Sequence, residues 1–141
     1  NKKFKIYGNN YKTPDGSAVR DYVHPDDVAQ AFFKSYNFLI KNRKNEIFNC
    51  GSGKPFSVKK VVDNFVKFSR NKIEVSVGKR RPGDPAYTLS NNSKIRRKLK
   101  IKFKKSNLKN IISDLVLWRS SLSKKIGQKS KMISIKYKSN L

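Results

Sequence analysis

The chain is short of the residues that build metal and disulfide sites. Its 141 residues include one cysteine, one histidine and only nine acidic residues. The single cysteine, Cys50, cannot form an internal disulfide, so a reducing cytoplasm is the expected compartment. One Cys and one His are too few for a structural zinc site without several carboxylates, and the acidic residues show no metal-like clustering. We therefore predict no metal site.

Long apolar stretches are also missing from the sequence. No apolar run approaches the roughly 20 residues that a membrane helix requires, and the first residues lack the pattern of a signal peptide. We therefore predict no membrane association. The apolar share is 36%, and nine Phe and six Tyr residues suffice for the modest core of one domain.

Positive charge is abundant instead. The chain carries 34 basic residues and a formal net charge of +25, so its surface attracts anions in a salt-dependent way. A basic nucleic-acid-binding module is one alternative that this charge leaves open. It is disfavoured because the lysines are scattered over every segment and no nucleic-acid-binding motif accompanies them. Residues 1–121 are expected to form the domain, and the lysine-rich residues 122–141 a loosely ordered tail.

Periodicity and turn residues predict an alternation of strands and helices, and hence an α/β fold. Strands are expected at 3–7, 19–24, 46–50 and 73–77. Helices are expected from Pro25 to about Asn42, at 57–69 with Ser57 as N-cap, at 92–99, and after an Asn107 cap. In the first helix, Val28, Ala31, Phe32, Ser35 and Leu39 follow at helical spacing.

Two arginine-bearing motifs are the most informative part of the chain. They are G-S-A-V-R-D-Y-V-H at 16–24 and R-R-P-G-D at 80–84. The planar guanidinium group of an arginine can donate hydrogen bonds to two phosphate oxygens at once. Two arginines on separate loops could therefore bind a diphosphate from both sides. Asp21 is a candidate to orient Arg20. The competing interpretation, that these arginines only form surface ion pairs, stays open from composition and spacing alone.

No catalytic residue is assigned from the sequence. His24 stands just before a proline and a helix, a position more typical of a structural histidine. Cys50 is expected to pack at the end of a buried strand rather than to act as a nucleophile. The chain holds no Tyr followed four residues later by Lys and no G-x-x-G-x-x-G, and the G-S-G at 51–53 is weak evidence for a phosphate loop.

Four motifs, in order, resemble the C-terminal part of the UDP-glucose 4-epimerases, a family of extended short-chain dehydrogenases/reductases. They are Y-G-N-N-Y-K-T-P-D-G-S-A-V-R-D-Y-V-H-P-D-D-V-A from Tyr7, I-F-N-C-G-S-G-K-P-F-S-V from Ile47, R-R-P-G-D-P-A from Arg80, and S-K-I-R-R-K-L from Ser93. A final helix ending in Trp118 completes the pattern. The resemblance covers Lys3 to about Ser120.

The resemblance implies the UDP-binding portion of an enzyme that interconverts UDP-glucose and UDP-galactose by oxidation and reduction at hexose C4. An N-terminal Rossmann domain would hold NAD and carry the catalytic Tyr and Lys, and these parts would precede Asn1. The chain alone would then be inactive, and the full-length enzyme a homodimer. The alternatives are a portion of another UDP-sugar epimerase or of a nucleotide-sugar dehydratase.

The resemblance also assigns the two arginines and one acid to the phosphates and ribose. Arg20 and Arg81 would contact the diphosphate, while Asp84 would face the ribose or brace Arg81. The chain has G-D-P-A-Y where the family often has G-D-L-P-A-Y. This missing residue leaves Tyr87 unassigned.

The remaining site residues implied by the resemblance lie around the base. Tyr7, with the backbone of Lys5 and Ile6, would lie against the uracil. Tyr22 and Val58 are further candidates near the nucleotide.

Overall fold

The computed structural model describes residues 2–69 and 73–122. The strands of this part are Lys2–Tyr7 (β1), Val19–Asp21 (β2), Pro55–Ser57 (β3), Ile73–Gly78 (β4) and Tyr87–Thr88 (β5). Its helices are Pro25–Asn42 (α1), Val58–Ser69 (α2), Ser93–Leu99 (α3) and 108–122 (α4). The α/β class is confirmed, whereas the predicted tail lies, apart from residue 122, outside the described residues. None of the described helices is long and apolar enough to cross a membrane.

Two small sheets position the arginine motifs: the first motif includes β2, and the second follows the end of β4. β1 pairs in parallel with β4, and Tyr7 lies opposite Gly78. β2 is the middle strand of the second sheet, antiparallel to β3 and parallel to β5. The Val19 amide donates to the carbonyl oxygen of Ala86 at 2.8 Å. This pairing holds the segment after the second arginine motif beside the strand that carries Arg20.

The main core lies between α1 and α3. Its buried members are Ala31, Ile95, Leu99, Ile101 and Phe103. Of the positions at helical spacing in α1, Ala31 is buried at 4% exposure, whereas Phe32 and Leu39 are 74% and 42% exposed.

The two predicted N-caps, Ser57 and Asn107, are confirmed. The Ser57 hydroxyl accepts a hydrogen bond from the Lys60 amide at 3.1 Å, at the start of α2. The Asn107 carbonyl oxygen accepts one from the Asn110 amide at 2.9 Å, at the start of α4. Each cap satisfies a backbone donor that the first helical turn leaves without an intrahelical partner.

The predicted strand at 46–50 is not formed. A strand needs a neighbouring backbone, and none of the described strands pairs with this segment. Ile47 is 86% exposed, and Cys50 is exposed rather than buried. The segment is held instead by side chains: Glu46 forms ion pairs with Lys94 and Lys98 of α3, and the Phe48 ring packs edge-on against Phe38 of α1 at 5.9 Å.

Candidate functional site

The second arginine motif forms a tight turn at 81–84. The Asp84 amide donates to the Arg81 carbonyl oxygen at 3.2 Å, and Gly83 has φ +75°. Proline at the second position and a positive φ at the third define a type II turn. The turn holds the Cα atoms of Arg81 and Asp84 within about 7 Å of each other.

Asp84 connects this turn to the first arginine motif. Its carboxylate forms an ion pair with the Arg20 guanidinium, 64 positions away in sequence. The Arg20 Nη1 atom also donates to the carbonyl oxygen of Val19 at 2.7 Å. The two side chains are 23% and 28% exposed, so the pair is partly sheltered from water. The structure therefore brings Arg20 to the turn that carries Arg81, with Asp84 bracing Arg20 rather than Arg81.

Asp21 does not orient Arg20 as the sequence suggested, because its carboxylate is engaged elsewhere. Oδ1 accepts hydrogen bonds from the amide and hydroxyl of Ser52 at 3.0 and 2.6 Å. Oδ2 accepts from the amides of Gly53 and Ser90 at 3.0 and 3.3 Å. Asp21 thus fastens two segments to the end of β2. No local sequence pattern indicates this role, because all its donors are distant in the chain.

Tyr7 joins the cluster from the end of β1. The guanidinium carbon of Arg81 lies 4.1 Å from the centroid of the Tyr7 ring, and Lys5 Nζ lies 5.7 Å from it. Tyr7 is 37% exposed, whereas Ile6 is 5% exposed and directs its side chain into the core. Because its side chain is buried, Ile6 could contact the uracil only through its backbone, as the sequence analysis expects.

Tyr22 and Val58 lie on the elements next to Arg20. Burial raises the pKa of Tyr22, and the charge of Arg20 acts in the opposite direction. Val58 begins α2 and donates its amide to the carbonyl oxygen of Ala18 at 2.9 Å, next to β2. Both side chains are half-buried beside the strand that carries Arg20.

Arg80, the neighbour of Arg81, supports the fold. Its guanidinium carbon lies 4.0 Å above the ring of Tyr11, which is 6% exposed. Gly8 allows this contact, because a Cβ atom there would lie 2.5 Å from the Tyr11 ring. A cavity of about 520 Å³ adjoins the pair. Its lining residues are Gly8, Asn9, Asn10, Val77, Gly78, Lys79 and Arg80.

His24 and Cys50 do not show the geometry of catalytic groups. His24 is 3% exposed, accepts the Asp26 amide at Nδ1 and contacts Asp114 Oδ2 through Nε2 at 3.0 Å. It therefore caps α1 and links it to α4. Desolvation of the thiol by neighbouring atoms, and then the charges of Asp21 and Asp27, raise the pKa of Cys50, which disfavours the reactive thiolate.

Comparison with known proteins gives a consistent group of relatives. No protein-family model matches the chain. The UDP-glucose 4-epimerase of Azospirillum brasilense is 33% identical over 123 residues, which are 87% of this chain and 35% of that protein. The UDP-glucose 4-epimerase of Streptococcus mutans is 36% identical over 122 residues, 86% of this chain and 37% of that protein.

A solved structure agrees with these relatives. The UDP-glucose 4-epimerase of Stenotrophomonas maltophila, with bound NAD and formylated UDP-arabinopyranose, superposes with a TM-score of 0.81 at 29% identity. The match covers 87% of this chain and 36% of that one. These proteins are all nucleotide-sugar epimerases.

Over most of its length the chain is similar to UDP-glucose 4-epimerases, and the match lies in the C-terminal part of those proteins. It spans about a third of the length of the curated relatives, 35% and 37% for the two compared above.

Proposed function

We propose that this chain is the UDP-binding portion of a UDP-glucose 4-epimerase. The complete enzyme would interconvert UDP-glucose and UDP-galactose at hexose C4. The observation that carries the proposal is the ion pair of Arg20 with Asp84, which joins two distant arginine motifs at one turn. Similarity to these epimerases supports the ligand class, since a solved structure of similar fold holds a UDP-sugar.

In this proposal the chain binds and orients the nucleotide. Arg20 and Arg81 would each donate charge-assisted hydrogen bonds to the diphosphate, and Asp84 would accept from the ribose while it braces Arg20. Tyr7 and the neighbouring backbone would lie against the base. Hydrogen bonds to charged groups contribute about 1.5–3 kcal/mol each, so two arginines account for a large share of the ~8 kcal/mol of a micromolar complex.

NAD would be held by a part of the enzyme that this chain does not include. When bound, it supplies the hydride acceptor for C4. Segment 51–53 does not fit its pyrophosphate, because the Ser52 and Gly53 amides already donate to Asp21. The catalytic Tyr and Lys would belong to the same missing part, so we expect no turnover from these 141 residues alone.

Calorimetric titration of the chain with UDP, UDP-glucose and UMP tests the proposal. We expect UDP and UDP-glucose to bind more tightly than UMP, because UMP lacks the second phosphate. Arg20→Ala and Arg81→Ala should each weaken UDP binding about tenfold or more, the equivalent of ~1.4 kcal/mol. Arg97→Ala, an exposed arginine on α3, is the matched control and should leave the affinity unchanged.

The same titrations separate nucleotide binding from nucleic-acid binding. UDP-glucose, UDP-galactose and UDP-N-acetylglucosamine should bind alike, because the proposed contacts address the nucleotide rather than the sugar. A nucleic-acid module would instead bind duplex DNA with a steep salt dependence, and Arg20→Ala and Arg81→Ala would not alter it selectively. Absence of UDP binding, or an equal loss in the Arg97 control, would contradict the proposal.

A further inference from the structure

We propose that Tyr7 is a positioning residue that orients the guanidinium of Arg81 toward the diphosphate. This inference rests on the function proposed above, in which Arg81 contacts phosphate and Tyr7 lies against the base. The new element is that Tyr7 acts on the phosphates through Arg81, independently of any contact with uracil.

The contact between the two side chains is close enough to fix the arginine. Arg81 is exposed, and its guanidinium carbon lies 4.1 Å from the centroid of the Tyr7 ring. A planar guanidinium at this distance is attracted by the face of an aromatic ring. The stack restricts a long side chain that otherwise samples many rotamers, so less freedom is lost when phosphate binds.

The backbone brings these two residues together. In the parallel pair of β1 and β4, Tyr7 lies opposite Gly78, and the Gly8 amide donates to the Gly78 carbonyl oxygen at 2.8 Å. Arg81 follows shortly after Gly78 and opens the type II turn at 81–84. The strand register and the turn therefore deliver Arg81 to the ring at the end of β1.

The neighbouring Arg80–Tyr11 pair shows what is particular to Arg81 and Tyr7. Tyr11 is 6% exposed and belongs to the interior, so Arg80 above it stabilises the loop. Tyr7 is 37% exposed, so its stack with Arg81 stands at the surface, where a ligand can reach it. In addition, the turn that holds Arg81 also holds the Asp84 partner of Arg20. The Arg81–Tyr7 contact, unlike the Arg80–Tyr11 contact, therefore lies where the diphosphate is proposed to bind.

Pyrophosphate is the probe that separates the two roles of Tyr7, because it has phosphates but no base. By calorimetry on the full 141-residue chain, Tyr7→Leu should weaken pyrophosphate binding about threefold to tenfold. Tyr7→Phe keeps the ring and should retain the wild-type affinity. Tyr36→Leu, which replaces a tyrosine 61% exposed on α1, is the matched control and should have no effect.

A double-mutant cycle gives the readout that a general loss of structure would not produce. In an Arg81→Ala background, Tyr7→Leu should no longer change pyrophosphate affinity, because its effect passes through the arginine. If Tyr7→Leu weakens UDP but leaves pyrophosphate unchanged, Tyr7 serves the base alone; the inference is then overturned while the proposed function stands. A wild-type chain that binds neither ligand refutes both.

Discussion

Substitution of Asp21 by asparagine tests how the site is assembled. Asp21 accepts four hydrogen bonds, two from Ser52 and one each from Gly53 and Ser90. These bonds fasten segment 51–53 and the residues after β5 to the strand that carries Arg20. Asparagine has nearly the same shape but only one acceptor oxygen, and its NH₂ group would face amide donors.

The expected loss follows from the bonds that the amide side chain cannot make. In its better orientation, the substituted asparagine would keep the two bonds to Ser52 and leave the amides of Gly53 and Ser90 without their acceptor. Hydrogen bonds to charged groups contribute about 1.5–3 kcal/mol, and the 3.3 Å bond to Ser90 lies at the weak end. We therefore expect the free energy of unfolding to fall by about 3 kcal/mol, or the Tm by ~10 °C.

Urea and thermal unfolding followed by circular dichroism measure this change. Asp63→Asn, on the exposed face of α2, is the matched control and should shift the unfolding free energy by less than ~0.5 kcal/mol. If Asp21→Asn changes the unfolding free energy as little as this control does, the hydrogen bonds accepted by Asp21 do not stabilise the fold.

Three further substitutions test the fold and the turn. Hydrogen bonds from Lys94 and Lys98 lower the pKa of Glu46 to about 2 from its usual 4.5. This group stabilises the fold above about pH 4.5 and loses that effect as pH falls through about 2, so urea titrations of Glu46→Gln should show a flatter pH dependence over this window. Gly83→Ala at φ +75° should destabilise the chain by about 1 kcal/mol and weaken UDP binding by calorimetry; unchanged values would show that the positive φ is not required. His24→Ala removes the cap of α1 and should lower the unfolding free energy by about 2 kcal/mol in urea, and a loss below ~0.5 kcal/mol would assign it no structural role.

Features governed by near neighbours were predictable from the sequence. The start of α2 depends on Ser57 and an amide three residues later, and the turn at 81–84 depends on Pro82 and Gly83. Both interactions are local, so residue type and order suffice to specify them.

Features governed by distant partners were not predictable. The strand expected at 46–50 has a suitable pattern but no paired neighbour among the described strands, and α1 buries Ala31 rather than Phe32 because of where α3 lies. Asp84 was expected to face the ribose or brace Arg81, yet its carboxylate meets Arg20, 64 positions away. Such pairings depend on the tertiary fold, which local patterns do not encode.

The candidate site came partly from the residues and partly from resemblance. Composition and spacing alone did not decide whether the two arginines bind phosphate or form ion pairs. In the structure, Arg20 does form an ion pair. The assignment of Arg20, Arg81 and Tyr7 to a uridine nucleotide came from family motifs and stays a prediction. Their convergence on one turn is the independent structural support for it.

A crystal structure of the chain grown with UDP tests the central claim most directly. The account predicts Nη atoms of both Arg20 and Arg81 within about 3 Å of oxygens of one diphosphate, with Asp84 still beside Arg20. A diphosphate bound away from the turn at 81–84, or held by only one of the two arginines, would contradict it.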